Sequence, residues 1–144
     1  MADALGKLIR LHRRQLDEKR RALVQQEAEL AALNDRLDDL EAERDREQTL
    51  SRGDLDMARA FPAYLARYRA RRADLVAAIT AKQAAVEQAR AVVAEAFQEV
   101  KRYEIALENR EKREEAERNR AEQALLDELG LDAFRRAQSG RGKG

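Results

Sequence analysis

Two rows of positions interleave through the first third of the chain. Ile9, Leu16, Leu23, Leu30 and Leu37 recur at every seventh residue, and Leu5, His12, Lys19, Gln26, Leu33 and Leu40 form a second row between them. Alternating steps of three and four place both rows on one stripe of an α-helix, as the a and d positions of a coiled-coil seam. The pattern predicts a first helix over about residues 3–50, roughly 70 Å long at ~1.5 Å per residue. The frame stops at Gln48-Thr49-Leu50-Ser51-Arg52-Gly53-Asp54. Gly53 can supply a positive φ or a flexible point, and Ser51, Asp54 and Asp56 can each cap a helix. Pro62, the only proline, suits the first turn of a new helix, where its missing N–H costs nothing. A turn is therefore predicted over about residues 51–61.

A second frame follows: Leu65, Tyr68, Arg72, Leu75, Ile79, Lys82, Val86, Ala89, Val93, Ala96, Val100, Tyr103 and Leu107. With no further Gly or Pro before Gly130, the second helix is predicted over about residues 62–129 or slightly beyond. Its stripe vanishes between Glu108 and Arg120, where every face is polar and i,i+4 charge pairs must hold the helix. Apolar residues return at Ala121, Ala124, Leu125, Leu126, Leu129, Leu131 and Phe134. The Gly-rich tail, residues 139–144, is expected to be disordered. The chain reads as all-α: one domain over 1–138, a long antiparallel two-helix coiled-coil hairpin whose second helix is the longer.

In an antiparallel seam, a positions face d positions. One register closes the whole seam: Leu5 meets Leu107, Ile9 meets Tyr103, Leu16 meets Ala96, Leu23 meets Ala89, Leu33 meets Ile79 and Leu37 meets Leu75. It sets Glu41 beside Arg69 and Glu43 beside Arg71, and an acidic stretch from Glu27 to Glu47 against a basic one from Arg59 to Arg72. Exposed pairs of this kind contribute about 0–1 kcal/mol each, so they specify orientation more than they stabilise. His12, Lys19, Gln26, Arg44, Arg72 and Lys82 interrupt the frame. Either their long side chains snorkel past a narrow seam, or the end of the coil near the termini is loose or contacts a partner.

Composition narrows the function. Of 144 residues 40% are charged and 4% aromatic, too few rings for a thick core, while the net charge is only +1. That balance argues against nucleic acid as the main partner. The basic run Arg10, Arg13, Arg14, Lys19, Arg20 and Arg21 resembles a basic-zipper arm, but Asp17 and Glu18 interrupt it and the chain turns back. With no Cys and one His, thiol and His-based metal sites and Cys–His catalysis are closed. No Gly-rich phosphate loop is present, and the carboxylates read as solvated helix faces. No apolar run approaches a membrane span or a secretory signal. The expectation is a cytoplasmic protein-binding coiled coil with no catalytic centre, cofactor, small-molecule substrate or nucleic-acid partner.

Specific residues point further. The opening Leu8-Ile9-Arg10-Leu11-His12-Arg13-Arg14-Gln15-Leu16-Asp17-Glu18-Lys19-Arg20-Arg21 resembles the start of the flagellar export protein family FliJ, and Glu122-Gln123-Ala124-Leu125-Leu126-Asp127-Glu128 resembles its closing pattern. The likeness extends over about residues 3–136. It implies a component of the flagellar type III export apparatus, similar in shape to the central stalk of rotary ATP synthases. The expected partners are a hexameric export ATPase, the membrane protein of the export gate, and export chaperones. The chain would then be cytoplasmic, or peripheral at the inner membrane through those partners. The family's gate surface corresponds to Tyr64–Ile79, with Tyr68 and Leu75 as contacts, although both also face the seam. Arg71 departs from the aromatic or apolar residue of the family pattern. Arg13, Arg14, Arg20 and Arg21, with Glu122, Gln123, Asp127 and Glu128, are the expected ATPase-side contacts. An injectisome stalk protein or a general coiled-coil scaffold are the alternatives.

Overall fold

The computed structural model of the chain describes residues 2–141. They form two helices, α1 (Ala2–Gly53) and α2 (Leu55–Arg141), with Asp54 alone between them. No strand occurs among the described residues.

The turn is far shorter than the predicted 51–61. Asp54 decides its place. Its Oδ1 accepts from the backbone N–H of Asp56 at 2.8 Å and of Met57 at 3.4 Å, and its carbonyl accepts the first helical bond, from Ala58 N, at 2.9 Å. An N-cap aspartate that satisfies the second and third free N–H groups is worth ~1 kcal/mol. Asp56 then adds a negative charge in the first turn, where the helix dipole favours it. Gly53 does not take a positive φ; it closes α1 in helical geometry. Ser51 caps nothing at α2, since its hydroxyl donates back to the Gln48 carbonyl at 2.7 Å. Pro62 lies inside α2 rather than in its first turn. There it removes one backbone hydrogen bond, a local cost that the helix around it absorbs.

At its other end α2 passes the expected stop near Leu129. Gly130 and Gly140 are both helical and neither has a positive φ. A glycine weakens a helix by ~1 kcal/mol relative to alanine, but ends it only by adopting the left-handed C-cap conformation. Of the tail expected to be disordered, residues 139–141 are the last of α2, and 142–144 lie outside the described residues.

The chain divides into two compact units, one of Arg10–Val100 and one joining the start of α1 through Ile9 to α2 from Lys101 onward. In the first, Leu16, Leu40, Tyr68, Ile79, Val86, Ala96 and Val100 are buried. Leu16, Ala96 and Val100 form one cluster with Val93 against it, so Leu16 meets Ala96 as the register requires. In the second unit Ile9 is buried, and Leu5, Tyr103 and Leu107 are half-buried. Among the described residues, all eight that are buried occupy the predicted a and d rows. The helices hold together by a stripe about one side chain wide, consistent with the absence of any fully enclosed side chain among the described residues.

Candidate protein-interaction site

Four of the polar interruptions in the first unit, Gln26, Arg44, Arg72 and Lys82, form specific contacts across the seam. Lys82 Nζ donates to Glu29 Oε2 at 2.6 Å and to Gln26 Oε1 at 3.0 Å. The ammonium holds the Glu29 carboxyl below its ordinary value, first through this hydrogen bond, with a further bond from Gln25 and then Lys82's charge adding to it. Arg44 lies over the Tyr68 ring at 5.3 Å from its centroid while its guanidinium grips Asp45, a cation–π contact that lets a charged residue stand in the frame. Arg72 pairs with Glu41 at 3.3 Å, and Arg90 with Glu27 at 3.6 Å. Glu41 thus takes Arg72 in place of the expected Arg69. The longer side chain in the seam frame reaches across, and the orientation argument survives the change of partner. Of the three consecutive d-row interruptions, Lys19 is exposed while His12 and Gln26 are half-buried.

An open groove of about 830 Å³ runs beside these contacts, between Leu33 and Arg46 of α1 and Arg71 and Ala78 of α2. Leu33, Leu40, Leu75 and Ala78 give it an apolar floor. Its walls carry three acids, Asp39, Glu43 and Asp74, and three bases, Arg36, Arg46 and Arg71. Such a groove suits an amphipathic protein segment whose apolar residues reach the floor and whose polar residues find either sign of charge at the rim. It offers no net charge to attract a polyanion.

Of the expected gate contacts, Leu75 opens onto this groove, whereas Tyr68 is only 5% exposed and lies under Arg44. In this state Tyr68 presents no surface to a partner. Tyr64, the first residue of the expected gate surface, is not among its two expected contacts. Its ring stacks near Phe61 at 6.0 Å, and its buried hydroxyl has no hydrogen-bond partner. Burial first, and then the negative charges of Glu43 and Glu47, hold the phenol above its ordinary value, while Arg71 acts in the opposite sense. Glu43 also acts as a nearby acceptor in the raising direction, although Oη lacks a partner at full hydrogen-bond geometry. Only the count of seam positions from Leu65 and Tyr68 could have shown that Tyr64 lies at the seam edge.

Arg13, Arg14, Arg20 and Arg21 are all exposed on α1. Helical spacing puts Arg13 with Arg20 on one flank and Arg14 with Arg21 on another, and Arg20 lies 3.7 Å from Asp17. In the other unit, half-burial ends at Arg110, and every described residue from Glu111 onward except Asp132 is exposed. The pairs Lys112–Glu108 at 3.1 Å and Arg110–Glu114 at 3.3 Å support the polar stretch at i,i+4 spacing. Gln123 donates to Asp127 at 3.1 Å, and Glu122 and Glu128 face solvent.

Among the described residues no group of His, Cys, Asp or Glu could hold a metal ion, and no helix is long and apolar enough to cross a membrane. Two helices joined along a narrow seam, with charged outer faces and an apolar-floored groove, define an antiparallel coiled-coil protein of the kind that offers helix faces to other proteins. The sequence matches the family described as Flagellar FliJ protein over residues 1–139, and the chain belongs to that family, a component of flagellar type III protein export. No curated protein and no solved structure matches the chain significantly.

Proposed function

We propose that this protein is a stalk of the flagellar export machine that couples a hexameric export ATPase to the export gate and binds substrate chaperones. Membership of the FliJ family over nearly the whole chain carries this reading. The groove around Leu75 supports a gate contact, since an apolar floor with mixed-charge walls favours a helical or extended protein segment. In this reading the polar length of α2 beyond Arg110, with Glu122, Gln123, Asp127 and Glu128, contacts the ATPase, and Arg13, Arg14, Arg20 and Arg21 of α1 are a second set of ATPase contacts on the other unit. Solvated charges suit a surface that meets several similar subunits in turn, because they exchange partners without a large desolvation cost. The protein would then be peripheral to the inner membrane through its protein partners alone.

The test is the activity of the cognate export ATPase with the full chain and with a version ending at Arg110, the helicity of both checked by circular dichroism. The full chain should stimulate, and the shortened hairpin should stay folded without stimulating. Reversing Arg13, Arg14, Arg20 and Arg21 to glutamate should weaken stimulation more at low salt than at high salt, where screening already suppresses the interaction. Full stimulation by the folded short form removes the ATPase role from the end of α2. No stimulation by the intact chain under any condition counts against the stalk and favours a scaffold.

A further inference from the structure

The end of α2 carries large apolar residues that no other described residue of the chain covers. Leu125, Leu126, Leu129, Leu131 and Phe134 are 55–60% exposed, whereas residues 108–120, just before them, contain no large apolar side chain. A solitary polar helix needs no leucines, and a helix with no neighbour gains no burial from them. Helical spacing of four, three, four and three lines up Glu122, Leu126, Leu129, Ala133 and Arg136 on one face, with Leu125 beside it. Leu131 and Phe134 lie off this row. The row begins with an acid and ends with a base, and neither Glu122 nor Arg136 has an ion-pair partner in its own chain among the described residues.

A face ordered acid, apolar, apolar, apolar, base is complementary to itself when one copy is turned end for end. We propose that this face of α2 is an interface with a second copy of this chain, two α2 ends packing antiparallel about a two-fold axis. Leu126 and Leu129 of one copy then face Leu129 and Leu126 of the other, as a and d residues do in an antiparallel seam. Ala133 meets the stem of Glu122, and the carboxylate of Glu122 comes within one helical turn of Arg136 of the second copy. A parallel arrangement would instead stack Glu122 on Glu122 and Arg136 on Arg136. The interface is isologous and closes at two copies. It is short, so the dimer is weak and concentration-dependent. It shares Glu122 with the ATPase-side surface proposed above, so the two contacts compete, but it is tested separately because it forms with no other protein present.

The test uses the full chain in sedimentation equilibrium over a wide concentration range. A monomer–dimer equilibrium is expected. Leu129→Asp should weaken it at least about tenfold, the scale of burying one leucine. All the substitutions fall on exposed positions, so helicity should not change. Glu122→Arg and Arg136→Glu should each weaken the dimer by roughly three- to tenfold, and the double reversal should restore it within one chain. Because the protein has no cysteine, Leu126→Cys and Leu129→Cys add the only thiols. On mild oxidation an equimolar mixture of the two should form the mixed disulfide faster than either forms its own dimer. A chain that stays monomeric at every concentration overturns the proposal. So does a dimer indifferent to Leu129→Asp, or one in which Leu129→Cys links to itself in preference to Leu126→Cys.

Discussion

Replacing Leu16 with alanine measures how much the seam stabilises the hairpin. Leu16 is 5% exposed and packs with Ala96, Val100 and Val93. The substitution removes three buried carbons, a loss of about 2.4 kcal/mol at ~0.8 kcal/mol per methylene. A rigid core would add a cavity penalty and carry the cost towards 4 or 5 kcal/mol, by the general range of about 2–5 for such changes. A seam one side chain wide behaves differently. Its neighbours border solvent, so the helices can close slightly or water can enter, and the cavity contribution stays small. The expected loss is about 2–3 kcal/mol. Val24 is 64% exposed, and Val24→Ala should change stability by less than about 0.5 kcal/mol. Urea unfolding followed by circular dichroism separates the two. At a slope of ~2 kcal/mol/M the Leu16 variant should lose roughly 1 M in midpoint and the Val24 variant almost nothing. Equal shifts for the two, or a Leu16 loss below ~1 kcal/mol, would mean that the stripe does not hold the helices together in solution.

Other substitutions address local chemistry. Asp54→Ala should lower stability by ~1 kcal/mol in the same assay while Asp54→Asn retains most of it, because the amide oxygen can still accept from Asp56 and Met57. Tyr64→Phe should be neutral or stabilising by up to ~1 kcal/mol, since it deletes a buried hydroxyl that has no partner. The raised phenol favours the neutral form in the folded state, so its contribution is present below the ordinary tyrosine range and lost as pH rises through the folded value. Unfolding at alkaline pH should therefore be less steep in the phenylalanine variant. Glu29 has the opposite sign: its carboxyl is lowered by Lys82, so its contribution is present above the ordinary value of 4.5 and lost as pH falls through the folded one. Lys82→Gln should flatten the loss of stability on acidification across that window, and an unchanged acid limb would show that the bridge is not formed in solution.

The heptad rows made the two helices, their direction and their register legible, because a period of seven has one physical reading and the large residues of one helix met partners on the other. The turn was not legible, since several capping residues stood close together and only the backbone geometry chooses among them. Asp54 prevailed because a single side chain there satisfies two free N–H groups, after which Gly53 had no need of a left-handed conformation and Pro62 fell inside a helix already begun. The end of α2 was misjudged for a related reason: Gly130 is a permissive residue, and permission to stop is not a requirement. Arg44 and Lys82 looked like flaws in the seam when only polarity was visible. Their partners, the Tyr68 ring and the Glu29–Gln26 pair, depend on side-chain reach that spacing does not encode. The groove at Leu75 was half visible: Leu75 was a candidate contact from the family pattern, while burial of Tyr68 depends on Arg44 covering it.

A link of one residue also determines the order in which the hairpin can assemble. Contacts nearest Asp54 join residues close in sequence, and each further layer lengthens the closed loop by only a few residues. Loop-closure entropy grows as the logarithm of that length, about 0.6 kcal/mol per doubling. Once α1 and α2 meet beside Asp54, pairing can therefore advance like a zip, through Tyr68, Ile79 and Val86 towards Leu16 and Ala96, with little added entropy at each step. Starting from Leu16 and Ala96 instead would require closing the whole intervening chain at once. The transition state for folding the Arg10–Val100 unit should thus contain structured residues around Tyr68 and Ile79, with φ-values well above those at Leu16 and Val100. Substitutions at Leu16 should act mainly by speeding unfolding.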